Sequence, residues 1–247
     1  MPYLYKVCGA ASNVSSASSS HPLSRLAGSA MLAVMGDPVV AHVAEDFLVV
    51  DKPAGMPTQA LAGKDGRSLT EWVIERFPEV RALKGDGRHG GLLHRLDTET
   101  SGLVLFARTS AGYSEFRARM RAGEVRKTYL ALVLGPLRGQ GSVDLPIAHH
   151  AKSRRRMLAV RPGMRHFRGK PRPARTEYRV LATRGGHALV EAVITKGARH
   201  QIRVHLAALG HPIAGDALYD ANAAARPAPR HFLHAARLDF MAPGGGA

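Results

Sequence analysis

The chain has 247 residues, of which 45% are hydrophobic, so it can bury a sizeable core, which argues against wholesale disorder. It carries 35 Lys and Arg residues against 19 Asp and Glu residues, a formal net charge of +16 that favours a polyanionic partner such as nucleic acid. A membrane surface and a plain bias toward arginine are the alternatives, but no run is long enough for a membrane-spanning helix. The only cysteine, Cys8, excludes an intramolecular disulfide.

The first residues differ in composition from the rest of the chain. Residues 12–20 are mostly serine, and the segment has neither the charged start nor the apolar core of a signal peptide. We therefore predict a flexible, disordered leader over residues 1–36. A folded domain is expected over residues 37–242, followed by a glycine-rich tail at residues 243–247.

Patterns along the folded part predict short strands with a few helices between them. Ser68 and Glu71 have the spacing of a capping box, and the apolar residues after them repeat on one helical face until Pro78. Other helices are predicted at about 110–121 and 200–209, and strands at about 46–52, 103–107, 127–133, 176–182, 187–194 and 231–240. There is no regular βαβ alternation and no glycine-rich phosphate loop. The pattern favours an α+β fold with a mixed or antiparallel sheet, a central basic cleft and flanking short helices.

A cluster of charged and hydroxyl residues precedes the predicted strand at 103–107. Within it, Asp97 lies two residues after Arg95. A carboxylate in this setting suits a nucleophile kept ionised by nearby cations, but it equally suits a structural salt bridge in a loop. Tyr129, at the start of the strand at 127–133, is likewise either a site residue or a half-buried aromatic with its hydroxyl in water.

Residues 152–175 hold ten Lys and Arg residues and no acidic residue. Prolines and glycines interrupt the segment, which predicts a basic loop or a loosely paired ribbon. So many unrelieved positive charges repel each other unless an anion is present, so we expect contact with nucleic acid, above all through Arg154, Arg155 and Arg156. A merely solvated face is the alternative.

Several motifs occur in one order along the chain. H-R-L-D-x-x-T-S-G is matched by residues 94–102, V-x-K-P-x-G by residues 50–55, K-x-Y by residues 127–129, H-Q-[IL]-R-x-H by residues 200–205, and G-H-P-I-x-G-D-x-x-Y by residues 210–219. Together they resemble the RluA family of RNA pseudouridine synthases over residues 36–242. The resemblance implies that the domain over residues 37–242 is catalytic and converts uridine to pseudouridine in ribosomal or transfer RNA.

The resemblance also implies roles for individual residues. Asp97 is the catalytic aspartate, Arg203 pairs with it and keeps it ionised, and Tyr129 lies against the uracil face. Arg95 occupies the space left by the flipped base, with a plain phosphate contact as the alternative, and Lys52 is expected to be a further RNA-binding residue. No cofactor and no metal are implied, and His94, His200 and His205 are interpreted as hydrogen-bonding structural histidines. We expect a cytoplasmic, monomeric enzyme with no membrane association.

Two departures from the family pattern bear on this interpretation. Ala198 stands where the family has an arginine, with Arg199 next to it as a candidate replacement, and the chain stops short of a family-typical final strand. Two rival functions follow from the same residues. One is a non-catalytic RNA-binding or assembly protein, and the other is a hydrolase that breaks the same glycosidic bond and releases free uracil.

Overall fold

The computed structural model describes residues 4–8, 36–60, 67–83, 89–225 and 228–241. The strands in chain order are β1 (Leu4–Cys8), β2 (Val39–Val43), β3 (Phe47–Lys52), β4 (Ser101–Ala107), β5 (Arg126–Leu134), β6 (Gln140–Val143), β7 (Ile147–His150), β8 (Met157–Ala159), β9 (Phe167–Arg172), β10 (Thr176–Arg184), β11 (His187–Ile194) and β12 (Leu233–Met241). The α-helices are α1 (Leu69–Arg76), α2 (Ser110–Ala122) and α3 (Gln201–Ala208), and 3₁₀ turns occupy Pro78–Leu83 and Ala223–Ala225. No described helix is long and apolar enough to cross a membrane.

The chain divides into two compact units, the first made of residues up to 127 together with those from 234 onward. Its strands follow the order β2-β3-β4-β12, with β1 also paired to β12. These pairs are antiparallel except for β4 and β12, which run parallel with Ala235 opposite Gly102. In the core, Phe47, Phe116 and Phe240 meet edge to face with ring centroids 5.3–5.6 Å apart, a favoured aromatic geometry.

The second unit comprises residues 128–233. Strands β5, β11, β10 and β6 are neighbours in that order, and both pairs that β10 makes, with β11 and with β6, are antiparallel. A separate three-stranded antiparallel sheet has the order β8-β7-β9. Ile147, Met157 and Val204 form a small core that joins this sheet to helix α3.

Local sequence signals account for the helix boundaries. Ser68 and Glu71 form the predicted capping box at the start of α1, and the hydrogen bonds from Ser68 lower the pKa of the Glu71 carboxyl. Helix α2 begins after Thr109, whose hydroxyl accepts the Gly112 N–H, and ends at Gly123 in the left-handed conformation. The helices predicted from capping and periodicity are therefore confirmed.

The predicted α+β fold with mostly antiparallel pairing is confirmed. Strands β2, β6 and β7 are absent from the predicted elements, and the predicted basic ribbon contains β8 and β9. Residues 4–8, assigned to a flexible leader, instead pair with β12 as strand β1. Residues 1–3 and 9–35 of that leader, and the tail, lie outside the described residues. That residues 37–242 act as one catalytic domain around a basic cleft stays a prediction.

Candidate active site

Asp97 lies in the loop that leads into β4 in the first unit. Its side chain is partly exposed, whereas every residue of β4 is buried. The Thr100 N–H donates to the Asp97 carbonyl at 3.0 Å and closes a turn directly before the strand. Asp97 therefore combines a rigid base with solvent access, as a residue that meets a ligand needs.

Anchors on both sides of Asp97 hold this loop in place. On one side, the buried Thr58 hydroxyl donates to the Leu96 carbonyl at 2.8 Å and accepts the Leu96 N–H at 3.1 Å. On the other side, the Thr98 carbonyl accepts the Gly55 N–H at 2.9 Å and the Lys52 ammonium at 3.0 Å. The backbone on both sides of Asp97 is thus fixed by contacts with Lys52 at the end of β3 and with the segment that follows it.

Lys52 has a different environment from the one expected of an RNA-binding residue. The side chain is fully buried, and its ammonium donates to the carbonyls of Pro53 and Met56, both at 2.7 Å, as well as to that of Thr98. A buried lysine needs such partners because its charge has lost the solvation of water. We therefore correct the expected RNA contact of Lys52 to a structural role, in which it ties the K-P-x-G turn to the Asp97 loop.

His94 opens the same loop as a neutral imidazole. Its Nε2 accepts the Leu105 N–H at 3.1 Å, while its Nδ1 is buried and has no hydrogen-bond partner among the described residues. Burial, reinforced by the nearby positive charge of Lys127, lowers the pKa of His94 to about 3. Burial likewise lowers the pKa of Lys127 to about 8.

Arg95 and Tyr129 differ in exposure. Arg95 is exposed in the first unit, with Nη1 3.4 Å from the Gln59 side-chain oxygen. Tyr129 lies on β5 and is only 6% exposed, so it is more deeply buried than the alternative of a half-buried aromatic requires. Along β5 it shares a face with the buried residues Lys127 and Ala131.

Arg203 lies on α3 in the second unit and forms a buried ion pair that the motifs did not predict. Its Nε lies 2.7 Å from Asp216 Oδ2, and its Nη2 lies 2.8 Å from Asp216 Oδ1, a bidentate contact. A guanidinium has five N–H donors, so this pair leaves it capacity for further contacts. The motif G-D-x-x-Y contained Asp216, but no local spacing linked it to Arg203.

His200 and His205 in the second unit are hydrogen-bonded, as interpreted from the sequence. His200 Nδ1 is 2.7 Å from the Tyr219 hydroxyl, and His205 contacts Thr176 Oγ1 at 2.8 Å and the Leu145 carbonyl at 2.9 Å. Burial lowers the pKa of His205. Among the described residues, no group of three His, Cys, Asp or Glu side chains is arranged to hold a metal ion.

The loop around Ala198 is held by Gln201. Gln201 Oε1 accepts the Ala198 N–H at 2.9 Å, while its Nε2 donates to the Arg175 carbonyl at 2.9 Å. Arg199 is exposed. The loop that carries the departure from the family pattern is therefore anchored without an arginine at position 198.

The basic segment is exposed in the second unit. Its ten Lys and Arg residues all face solvent, and Arg154, Arg155 and Arg156 lie in the turn between β7 and β8. Arg168 supports this turn by donating to the carbonyls of His150 and Ser153, each at 3.1 Å. The arrangement presents a dense positive surface on a paired sheet, which suits phosphate contact.

The structure places the predicted site residues in both units. Asp97, Arg95 and Lys52 belong to the first unit, where Lys52 contacts the loop of Asp97. Tyr129, Arg203 and the three arginines belong to the second. The contact between Asp97 and Arg203 expected from the sequence stays a prediction.

Comparison with known proteins defines the class of protein. The family model described as RNA pseudouridylate synthase matches residues 46–208, which include the Asp97 loop, Tyr129 and Arg203. The chain therefore belongs to this family, and its resemblance to the RluA family is confirmed.

The chain is similar to individual RNA pseudouridine synthases of bacteria. The chain is 39% identical over 196 residues to an uncharacterized RNA pseudouridine synthase of Chloroflexus aurantiacus, covering 79% of this chain and 59% of the relative. It is 35% identical over 210 residues to ribosomal large subunit pseudouridine synthase D of Nitrosomonas europaea, covering 82% of this chain and 57% of the relative. The chain thus spans less than two thirds of the length of these relatives.

Solved structures agree with the fold. Human RNA pseudouridylate synthase domain containing 1 aligns with a TM-score of 0.67 and 26% identity, covering 85% of this chain and 79% of that structure. Human RNA pseudouridylate synthase domain containing 4 aligns with a TM-score of 0.59 and 25% identity, covering 83% and 89%.

Proposed function

We propose that the protein isomerises uridine to pseudouridine in structured RNA. The observation that carries this proposal is the position of Asp97, which lies partly exposed on a loop anchored on both sides within the matched family region. Because the loop is already ordered, binding of a substrate to this carboxylate does not cost the conformational entropy of fixing the loop.

The reaction breaks the N1–C1′ bond of uridine and joins C5 to C1′, while C5 loses a proton and N1 gains one. Asp97 acts as the nucleophile or as the ion-pair partner of the electron-poor sugar carbon. Tyr129 stacks against the uracil, and Arg203 holds Asp97 ionised through donors that Asp216 does not use. Arg95 fills the space that the flipped base leaves, for which its exposed guanidinium is suited.

Ribosomal RNA is the favoured substrate. The names of several relatives describe ribosomal large subunit pseudouridine synthases, and transfer RNA is the alternative. The exposed positive surface of the second unit supports a polyanionic substrate of either kind. We further propose a cytoplasmic monomer.

Replacing the Asp97 carboxylate tests the proposed activity. Asp97→Asn keeps the shape of the side chain but removes its charge, so pseudouridine formation should fall by at least about a thousandfold, as for loss of a principal catalytic group. The measurement is pseudouridine mapping in total RNA from cells that lack the protein, incubated with the purified wild type or variant. RNA binding should be retained.

Glu99→Gln is the matched control because it removes a carboxylate from the same loop, and it should keep wild-type activity. Full activity of a folded Asp97→Asn variant would end the proposal. Release of free uracil by the wild type would show hydrolysis instead. RNA binding without any new pseudouridine at any site would support the non-catalytic assembly protein.

A further inference from the structure

We infer that Asp216, Tyr219 and His200 form a scaffold that fixes the orientation of the Arg203 guanidinium, which makes Asp216 a positioning residue for the isomerisation. This inference rests on the proposed function for its catalytic consequence. Its geometric part, the ordering of Arg203 by this scaffold, stands independently.

The ion pair itself sets the plane of the guanidinium. The Arg203 side chain is 6% exposed and that of Asp216 is fully buried, and the two meet in a fork-to-fork contact through Nε and Nη2. Two parallel charge-assisted hydrogen bonds restrict rotation in a way that a single contact does not. A buried pair of this kind is weak evidence for added stability, since apolar replacements are often as stable, so orientation is the property that it supplies best.

The carboxylate of Asp216 is held by its own turn. Its Oδ1 also accepts the Leu218 N–H at 3.0 Å, and the Asp216 carbonyl accepts the N–H groups of Tyr219 at 3.2 Å and Asp220 at 2.9 Å. The acceptor is therefore fixed to the backbone before it meets the arginine. The G-D-x-x-Y motif thus places the Asp216 carboxylate and the Tyr219 ring on one turn.

The ring of Tyr219 also contacts the arginine. The Arg203 guanidinium carbon lies 5.2 Å from the centroid of the Tyr219 ring, within cation–π range. The Tyr219 hydroxyl accepts the Met157 N–H at 2.9 Å and lies 2.7 Å from His200 Nδ1, to which it can donate its hydrogen. The ring is consequently held at both ends, by the turn and by β8.

His200 makes this contact from a left-handed backbone conformation. It is the only described non-glycine residue with a positive φ, 57°, and it stands directly before the first residue of α3. A left-handed backbone conformation is unfavourable for histidine and is kept only where surrounding contacts hold it. Here the His200 side chain is hydrogen-bonded to Tyr219. One short segment therefore carries Arg203 on the helix and His200 at the helix start, both directed to the same tyrosine.

The test combines kinetics with a direct observation of Arg203. In single-turnover reactions on RNA from cells lacking the protein, we expect Asp216→Asn to lower the rate of the chemical step about 10- to 100-fold. The apparent affinity for RNA should change less than about threefold. Rates are normalised to the folded fraction measured by near-ultraviolet circular dichroism. Glu191→Gln, which breaks the surface pair with Arg179, is the matched control and should leave the rate unchanged.

Nuclear magnetic resonance of the Arg203 Nε–H group measures how well the Arg203 guanidinium is ordered, and this measurement does not depend on enzymatic activity. The signal, assigned with Arg203→Lys, should be sharp in the wild type and broadened or lost in Asp216→Asn. An unchanged signal, or a wild-type chemical rate in folded Asp216→Asn, overturns the inference.

If Asp216→Asn does not fold, Tyr219→Phe decides, because it keeps the ring and removes only the hydroxyl contacts. We expect it to broaden the Nε–H signal and to lower the chemical rate about threefold, and an unchanged signal and rate overturn the scaffold. If the wild type forms no pseudouridine, the proposed function fails, whereas the resonance still decides whether the scaffold orders Arg203.

Discussion

At the scale of single residues, two ionisable side chains of the first unit bond to the backbone. Lys52 is fully buried against backbone carbonyls, and His94 is a neutral imidazole that accepts the N–H of Leu105 within β4. The sequence predicts an RNA contact for Lys52 and a structural hydrogen bond for His94. Their surroundings indicate that both residues hold the loop that presents Asp97.

The environment of His94 predicts a pH dependence of stability. Its pKa is about 3 in the folded protein and about 6.5 in the unfolded chain, so below pH 6.5 the unfolded state binds the additional proton. The free energy of unfolding should therefore fall by up to about 1.4 kcal/mol per pH unit as the pH decreases from 6.5 toward 3. Above pH 6.5 His94 is neutral in both the folded and the unfolded states, so it no longer lowers the free energy of unfolding.

Urea unfolding at pH 7, 6 and 5 measures this slope. His94→Gln should reduce it and leave the share that His205 contributes, whereas His166→Gln, which changes an exposed histidine, is the matched control and should retain it. Identical slopes in the wild type and in His94→Gln would show that His94 becomes protonated without unfolding the chain.

At the scale of elements, the parallel pair β4 and β12 depends on a glycine. Gly102 has a φ of 112°, and a Cβ at this position would lie 2.6 Å from the backbone nitrogen of Ala235, its partner on β12. Neighbouring Ser101 is tied to the same strand through its hydroxyl, 3.0 Å from His234 Nδ1. Ser101 and Gly102, at the end of the H-R-L-D-x-x-T-S-G motif, thus hold β4 against β12 next to the Asp97 loop.

Gly102→Ala should destabilise the protein by about 3 kcal/mol or more, because the backbone conformation is strained and the methyl group meets main-chain atoms that cannot move aside. Equilibrium unfolding in urea measures the change. Gly36→Ala is the control, since no atom lies within 4 Å of its added Cβ, and it should change stability by less than about 1 kcal/mol. A stable Gly102→Ala variant would mean that β12 shifts to accommodate the methyl group.

Sequence patterns predicted the elements whose signals are local. The capping box of Ser68 and Glu71, the helix closed by Gly123, and strands β10 and β11 all follow from neighbours in sequence. The patterns missed β2, β6 and β7. β2 is a short strand at the end of its sheet order, β6 contains Gln, Gly and Ser beside a single β-branched residue, Val143, and β7 has only four residues. β6 pairs with β10, which is distant in sequence, whereas β2 pairs with β3, the next strand along the chain.

In the candidate site, too, the sequence predicted some residues from local motifs and missed contacts between distant residues. The motifs identified Asp97, Tyr129 and Arg203, but neither the burial of Lys52 nor the partner Asp216 could be predicted from them. Lys52 and Thr98 are 46 residues apart, and Arg203 and Asp216 are separated by a helix end and a turn. Such contacts depend on tertiary packing, which no local spacing encodes.

At the scale of the whole molecule, much of the excess positive charge lies in residues 152–175, which contain no acidic residue. At the end of this segment, Arg175 pairs with Asp144 and Glu177. All ten Lys and Arg residues of positions 152–175 are exposed. Elsewhere several arginines are paired, as in the contacts of Arg119 with Glu115 and of Arg108 with Glu79. The unbalanced surface is therefore the part of the protein best suited to RNA phosphates.

Changing Arg154, Arg155 and Arg156 together to Gln should weaken binding to all RNAs to a similar extent. Removing one arginine–phosphate ion pair lowers the slope of log K against log salt by about 0.7–0.9, so removing three should lower it by about 2–3. Filter binding at several salt concentrations measures the slope.

The control for this variant changes Arg117, Arg121 and Arg138, which are also exposed, to Gln and so removes the same charge from other surfaces. This control should alter the slope of log K against log salt less than the change of Arg154, Arg155 and Arg156 does. Equal slopes for the wild type and the Arg154, Arg155 and Arg156 variant would assign these arginines to a solvated face.

The anchors of the Asp97 loop also determine when the site can form during folding. Thr58 and Lys52 precede their partners in the loop by 38 and 46 residues, so both contacts require the chain to close long loops. Contacts of this range form late relative to local helices and turns. The nine-residue signature would therefore lose its geometry if grafted alone onto another scaffold, because the residues that shape it lie in a different part of the chain.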